Sequence, residues 1–101
     1  MKGQSINEFI DDLISMGGPE KEFIFKNRFF FLEVMYRGEK NMLELYLDEY
    51  DNTNPKEKVF VARHSFWGKS NLECVNQFEK ARIFEGSTIF EAESEIEVLF
   101  G

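Results

Sequence analysis

The sequence predicts an α+β fold: an N-terminal helix, an antiparallel three- to four-stranded meander, and two C-terminal helices packed on the sheet. Three observations support this order. Apolar residues recur at helical spacing near the N-terminus, apolar segments separated by turn-forming residues follow between residues 22 and 63, and helix-capping patterns return from residue 70 onwards. A chain of 101 residues that is 43% hydrophobic and 16% aromatic suits one core, so we expect a single domain covering residues 1–101.

The first helix is predicted to begin after Ser5. The segment from Ser5 to Glu8 has the capping-box pattern, in which the serine oxygen accepts a backbone N–H three residues later. One apolar helical face follows, made of Ile6, Phe9, Ile10 and Leu13. We expect the helix to stop at residues 17–19, Gly-Gly-Pro, because glycine favours the left-handed position after a helix and proline cannot continue it.

Residues 22–26, 29–36 and 42–49 are predicted to form three consecutive antiparallel strands. Asn27 is expected to supply the positive φ of the first hairpin, and residues 37–40 form the second turn. In the third strand, alternation places Leu43, Leu45 and Leu47 on the core face, and Met42, Glu44, Tyr46 and Asp48 on the other. A loop follows at residues 51–56, and residues 59–63 are expected to form a short fourth strand.

The second half is predicted to be mainly helical. Residues 64–68 bridge to a helix that Ser70 caps, with Leu72, Val75 and Phe78 as its buried stripe. Ser87 or Thr88 is expected to cap a short last helix ending near residue 94. Beyond it, Ile96, Val98 and Phe100 alternate with Glu97 and Leu99, so the tail could add an edge strand to the sheet.

The charge balance argues against two classes of partner. Nineteen acidic and twelve basic residues give a net charge of −7, which disfavours binding to nucleic acid or to an anionic membrane surface. The charge either attracts a basic protein or only keeps a small domain in solution. Cys74 is the single cysteine and the first residues lack the apolar run of a signal peptide, so we expect a cytoplasmic protein without disulfides.

No pattern in the sequence predicts catalysis, a metal site or a cofactor. His64 is the only histidine, and we expect it to make one structural hydrogen bond. Cys74 is expected to be a small buried residue, because neighbouring Glu73 opposes formation of a thiolate. The acidic residues around Asp48 and Asp51 lack the glycine and glutamate positions of an EF-hand, so no calcium site is expected.

The outer face of the third strand is the predicted partner-binding surface. Tyrosine suits interfaces because it is large, rather rigid and able to hydrogen-bond, and nearby carboxylates could meet a basic partner. The predicted residues are Glu44, Tyr46, Asp48, Glu49, Tyr50 and Trp67, with Glu33 and Met35 expected beside them on the second strand. The alternatives are a face covered by a later helix and a solvated face without a role. The acidic, apolar segment from Ile83 to Gly101 is a second candidate, with a solvated helix face and a closing strand as its alternative.

We therefore expect a non-enzymatic protein-binding module. In its narrowest form this would be an inhibitor or immunity-type protein whose carboxylates cover the basic site of a partner. The alternative is a small-molecule-binding or sensing domain with an aromatic-lined pocket between helix and sheet. A third interpretation is self-association through a sheet edge or the apolar tail, which would give a homodimer or a larger assembly.

Overall fold

The computed structural model describes residues 1–15 and 20–101, and it confirms the α+β class. The elements in chain order are α1 (Ile6–Ser15), β1 (Lys21–Phe25), β2 (Arg28–Arg37), β3 (Met42–Asp51), β4 (Val59–Gly68), α2 (Asn71–Lys80), α3 (Ile89–Ala92), a 3-10 turn (Glu93–Glu95) and β5 (Ile96–Phe100). The predicted order of helix, meander and C-terminal helices is recovered. The predicted strand number of three to four is wrong, because the C-terminal tail joins the sheet as a fifth strand.

The five strands lie in the order β4-β3-β2-β1-β5, and each neighbouring pair is antiparallel. The first four strands follow one another as a meander. The chain then passes through α2 and α3 and returns to the opposite side of the sheet, where β5 pairs with β1. The two edges of the sheet are therefore β4 and β5.

The core lies between one face of the sheet and the helices. Phe9 and Leu13 of α1 and Val75 and Phe78 of α2 are fully buried against sheet residues such as Phe30. The rings of Phe23 and Phe30 stack at 5.1 Å, and Phe84 packs against both of them. Complete burial of each large apolar side chain, aromatic or aliphatic, contributes roughly 1.5–3 kcal/mol, so the whole core layer stabilises the packing of the helices on the sheet.

Serine and threonine caps start the helices at the predicted places. The Glu8 N–H donates to Ser5 Oγ at 3.1 Å, and the Glu73 N–H donates to Ser70 Oγ at 3.2 Å. Of the two residues proposed for the last helix, Thr88 is the cap, and its partner Glu91 completes a capping box. The predicted helix stop at residues 17–19 lies outside the described residues.

Two local predictions are wrong. The first hairpin has a two-residue connection, and its left-handed residue is Lys26 (φ 53°) rather than Asn27. In α2 the face against the sheet consists of Cys74, Val75 and Phe78, whereas Leu72 is 51% exposed. The helical spacing of apolar residues does not show whether Leu72 or Cys74 faces the sheet. The direction in which α2 packs on the sheet decides which of the two is covered.

Both edge strands differ from their predicted form. Residues 64–68, predicted as a connection, are strand residues that pair with β3 from Leu43 to Leu47. Further along, a bulge at Val61 interrupts the pairing of β4 with β3, since Glu49 lies opposite Ala62 and Tyr50 lies opposite Phe60. A second bulge lies in β5, where Phe100 is opposite Glu22 of β1 and Val98 is opposite Phe23, so Leu99 has no partner residue on β1. Ile96 is therefore buried, but Phe100 is turned away from the core and is 56% exposed.

Candidate functional site

The face of the sheet opposite the core is open, since the helices of the described chain all pack on the other face. At its centre, β3 presents Glu44, Tyr46 and Asp48. The register of β2 places Glu33 opposite Tyr46 and Met35 opposite Glu44. The register of β4 places Trp67, Ser65 and Arg63 opposite Glu44, Tyr46 and Asp48, respectively. The structure thus brings the three predicted β3 residues together with Glu33 and Met35.

The two carboxylates at the centre of this face are bound by arginines of the same chain. Asp48 accepts from Arg63 through both oxygens, at 2.7 Å from Nε and 2.9 Å from Nη2. Glu44 accepts from Arg37 Nε at 2.9 Å and from Ser65 Oγ at 2.6 Å. Both carboxylates are buried although no helix covers them, because the arginine side chains lie over the sheet.

Tyr46 lies at the middle of this arrangement. Its hydroxyl donates to Glu33 Oε1 at 2.6 Å, and the guanidinium carbons of Arg63 and Arg37 lie 4.0 Å and 5.8 Å from the centre of its ring. Burial and then the Glu33 carboxylate raise the pKa of Tyr46 to about 12, so the phenol stays protonated at neutral pH. We call this group the Tyr46 cluster; its members are Glu33, Arg37, Glu44, Tyr46, Asp48, Arg63 and Ser65.

The pairing changes the proton affinities in the cluster. Burial alone would raise the pKa of Glu44, but the hydrogen bonds from Ser65 and Arg37 outweigh it, so the pKa lies below its ordinary value. The hydrogen bond to Asp48 raises the pKa of Arg63 further. Glu44 and Arg63 are both charged at neutral pH, and each is compensated by its own partner, Arg37 and Asp48, respectively. The sequence analysis missed Arg37 and Arg63, since one was assigned to a turn and the other to a strand end, and only the strand register pairs them with β3.

Glu49 belongs to the other face of the sheet. It lies opposite Phe30 of the core layer, and its carboxylate is 2.8 Å from His64 Nε2 and 3.3 Å from Arg28 Nε. His64 therefore makes a side-chain hydrogen bond of the structural kind expected for it, but within β4 rather than in a connection. Glu49 does not contribute to the patch predicted from Glu44 and Asp48.

Tyr50 and Trp67 lie towards opposite ends of the open face. The Tyr50 ring packs between Phe29 at 5.9 Å and Phe60 at 5.7 Å. At the other end, Lys40 Nζ lies 4.3 Å from the centre of the Trp67 ring. Of the six predicted residues, three form the centre of the face, these two flank it, and Glu49 lies on the opposite side.

A cavity of about 460 Å³ opens on the helix side of the sheet, below the β1–β2 hairpin. Its floor is apolar and includes Phe25, Phe30 and Ile83. Its polar lining residues are Lys26, Asn27, Arg28, Glu49, Asp51, Thr53 and Glu85. Several of these groups are already engaged: Lys26 bonds Glu85 at 2.5 Å, and Arg28 lies between the Glu49 and Asp51 carboxylates.

The β5 edge of the sheet is covered by the N-terminal segment. The Lys2 N–H donates to the Ile96 carbonyl at 2.9 Å, and the Val98 N–H donates to the Lys2 carbonyl at 2.8 Å. Gly3 makes this approach feasible, because its φ is +91° and a Cβ there would lie only 2.6 Å from the Val98 oxygen. The N-terminal residues thus satisfy part of the outer main chain of β5.

The β4 edge is different. Within residues 1–15 and 20–101, no strand pairs with the outer side of β4. Three consecutive apolar residues at its start are exposed: Val59 by 61%, Phe60 by 55% and Val61 by 46%. At the far end, Gln77 Nε2 of α2 donates to the Trp67 carbonyl at 2.5 Å, so the uncovered part runs from Val59 to about Phe66. The sequence analysis missed this edge because it predicted only five of the ten strand residues.

The described residues offer few other chemical groups. Cys74 is buried, and that burial raises the pKa of its thiol. In the described part of the chain, no three His, Cys, Asp or Glu side chains are grouped so as to hold a metal ion. Nor is any helix in those residues long and apolar enough to cross a membrane. No protein-family model, curated protein or solved structure matches this chain.

Proposed function

We propose that this protein is a non-enzymatic protein-binding module that binds its partner along the β4 edge. The observation that carries the proposal is the exposed run Val59-Phe60-Val61. It lies on a strand whose outer side pairs with no other strand of the described chain. An unpaired strand presents a row of N–H and C=O groups on which an extended segment can add as another strand. Apolar side chains beside that row supply the area whose burial favours association.

The Tyr46 cluster supports the proposal less strongly. The narrower form, an inhibitor or immunity-type protein that covers a basic site, requires free carboxylates. Glu44 and Asp48 are bound to Arg37 and Arg63, and a partner's cations would have to replace those arginines. That exchange would leave the displaced guanidinium groups needing new partners, which reduces the net gain. The basic-partner form therefore remains the weaker version of the same proposal.

The environment of the two reactive side-chain types supports a non-enzymatic role. His64 is held by the Glu49 carboxylate, and the hydroxyl of neighbouring Ser65 donates to Glu44 instead. Cys74 is buried with a raised pKa, which disfavours the thiolate that a nucleophile or a metal ligand requires. A single buried thiol is also compatible with the cytoplasmic location that we propose.

The proposal is tested by replacing the exposed apolar run without disturbing the fold. We expect Val59→Ser with Val61→Ser to reduce capture of a specific protein from the native host's lysate at least fivefold. Leu72→Ser, a comparably exposed site on α2, is the matched control and should retain capture. Unfolding curves would establish that both variants are folded. Equal capture by all three proteins, or no protein captured by the wild type, would overturn the proposal.

The cavity favours small-molecule binding as a second candidate. It combines an apolar floor with polar groups at its rim, which is the arrangement of many ligand sites. We expect a metabolite that occupies it to raise the melting temperature of the wild type but not that of Ile83→Trp, whose indole would fill the space. A ligand that stabilises both proteins equally would place its site elsewhere.

A further inference from the structure

The charge of the chain is unevenly distributed. Residues 53–69, which contain β4 and the end of the preceding loop, carry four basic side chains and the single acid Glu57, a net charge of +3. The remainder of the chain carries eight basic and eighteen acidic residues, a net charge of −10. Strand β4 itself contains no acid. Asp48 compensates the charge of Arg63, but the three lysines of this segment still outnumber Glu57, so the uncovered edge has the opposite sign to the whole molecule.

The lysines around this edge have no internal ion pair. Lys56 and Lys58 precede β4 in the sequence, and Lys69 follows it. Near the C-terminal end of β4, Lys40 lies against the Trp67 ring. Among residues 1–15 and 20–101 none of these four forms a salt bridge, whereas Lys2, Lys21 and Lys26 each do. Lys58 lies with its Nζ 4.5 Å from the centre of the Phe29 ring. Positive charge is thus available at both ends of the edge.

The same lysines disfavour a second copy of this chain as the occupant. If two β4 edges paired antiparallel, the Lys56 and Lys58 end of one copy would meet the Lys40 and Lys69 end of the other. If they paired parallel, identical lysines would lie side by side. Like charges at close range destabilise both arrangements, and the bulge at Val61 further disturbs a flat pairing. Edge lysines and bulges are devices by which proteins suppress edge-to-edge association.

We propose that the β4 edge binds an extended, acidic segment of a partner protein, which adds to the sheet as a sixth strand. The inference rests on the proposed function for its location and adds the chemistry of the partner. Main-chain hydrogen bonds to the stretch from Val59 to Phe66 hold the segment, and its apolar residues cover Val59, Phe60 and Val61. Carboxylates near its two ends meet the lysines, which also steer its approach.

Peptides of defined charge test the inference on the intact chain. The acidic probe is acetyl-EEVTVTEE-amide, the basic one acetyl-KKVTVTKK-amide, and the neutral one acetyl-QQVTVTQQ-amide. A fourth probe is the acidic peptide with alternate amides N-methylated, which cannot complete a strand ladder. Titrations of the isotope-labelled protein would be followed by NMR, with amide exchange as a second readout. We expect only the acidic, unmethylated peptide to bind appreciably and to slow amide exchange in β4.

Charge reversal at matched positions sharpens the test. We expect Lys56→Glu with Lys58→Glu to weaken binding of the acidic peptide at least tenfold, and added salt to weaken binding to the wild type. Lys2→Glu reverses a charge at the opposite sheet edge and should change the affinity by less than twofold. Equal affinity for the basic peptide, shifts confined to the Tyr46 cluster, or no binding of the acidic peptide at millimolar concentration would overturn the inference.

The outcomes separate this inference from the proposed function. If the neutral peptide bound at β4 as well as the acidic one, the acidic preference would be wrong and the edge would remain a binding site. If the Val59 and Val61 variant retained its capture of a lysate protein, the edge itself would be the wrong location. A concentration-dependent dimer through β4, measured by sedimentation, would make a second copy the occupant and overturn the inference.

Discussion

The two edges of the sheet differ in whether their outer main-chain groups are covered by other residues of the chain. Both β4 and β5 expose a row of main-chain donors and acceptors that could pair with another chain. At β5 the protein covers that row with its own residues, since Lys2 bonds to Ile96 and Val98. At β4 no strand of the described chain covers the row from Val59 to Phe66. Lysines that form no salt bridge with the described residues lie at its ends, and a bulge interrupts it. The covered edge closes the fold, and the uncovered edge is the one at which we propose that a partner binds.

The covered edge depends on a buried lysine that has no counterpart at β4. The Lys21 side chain is fully buried, and Nζ donates to the Asp12 carboxylate at 2.9 Å and to the Gln4 amide oxygen at 3.0 Å. A third bond, also of 2.9 Å, reaches the Gly101 carbonyl. One ammonium group therefore connects the N-terminal segment, α1 and the end of β5. The sequence analysis assigned no role to Lys21.

The largest expected effect follows from removing this ammonium group. We expect Lys21→Met to lower the free energy of unfolding by about 2–3 kcal/mol, because three partly buried acceptors lose their donor. Lys58→Met at the other edge is the matched control and should change it by less than about 0.5 kcal/mol, because that side chain is exposed. Urea unfolding measures both values. Similar losses in the two variants would contradict the difference between the edges.

An intermediate effect is expected at Gly3. Alanine there must adopt a φ of +91° and place its Cβ 2.6 Å from the Val98 oxygen, so we expect a loss of about 2 kcal/mol or detachment of the N-terminal segment. Amide exchange at Val98 should become faster. Gly86→Ala is the control, since its φ of +84° is similar but a Cβ there meets nothing within 4 Å. Its loss should be about 1 kcal/mol, and Val98 exchange should not change.

The smallest expected effect is the pH dependence of the covered edge. The hydrogen bond from Lys21, followed by that from Gln4, lowers the pKa of Asp12 from its ordinary value of 3.8. A carboxyl group whose pKa is lower in the folded state contributes stability above the unfolded pKa, and this contribution is lost as the pH falls through the folded pKa. We therefore expect the Val98 amide to lose protection below about pH 3.8.

Asp12→Asn isolates this contribution from that of the other carboxylates. The variant should lack the Asp12 part of the decline in unfolding free energy between pH 4 and pH 2, measured by urea unfolding at each pH. The substitution should leave the acid response of exchange in β4 unchanged, since the Asp12 side chain contacts Gln4 and Lys21 at the opposite edge. An identical acid response in the wild type and the variant would show that the Lys21 contacts do not depend on the charge of Asp12.

The sequence by itself determined the elements whose signals are local. Ser5 and Ser70 begin helices because a hydroxyl satisfies backbone N–H groups only three residues away. Leu45 and Leu47 point to the core because side chains of a strand alternate between its faces. These patterns act within a few residues, so they can be read without knowing the rest of the fold.

Only the tertiary structure decided which residues meet. The pairing of Arg63 with Asp48 joins positions fifteen residues apart and follows from the register of β4 on β3. By contrast, alternation within β3 itself places Glu49 on the face opposite Glu44, although the two were predicted to lie on one surface. Net charge likewise concealed the basic segment at residues 53–69, and only the fold places that segment at a sheet edge. Local hydrophobic patterns and turns restrict the register of each strand, but which strands become neighbours and which edge stays uncovered depend on packing between distant segments.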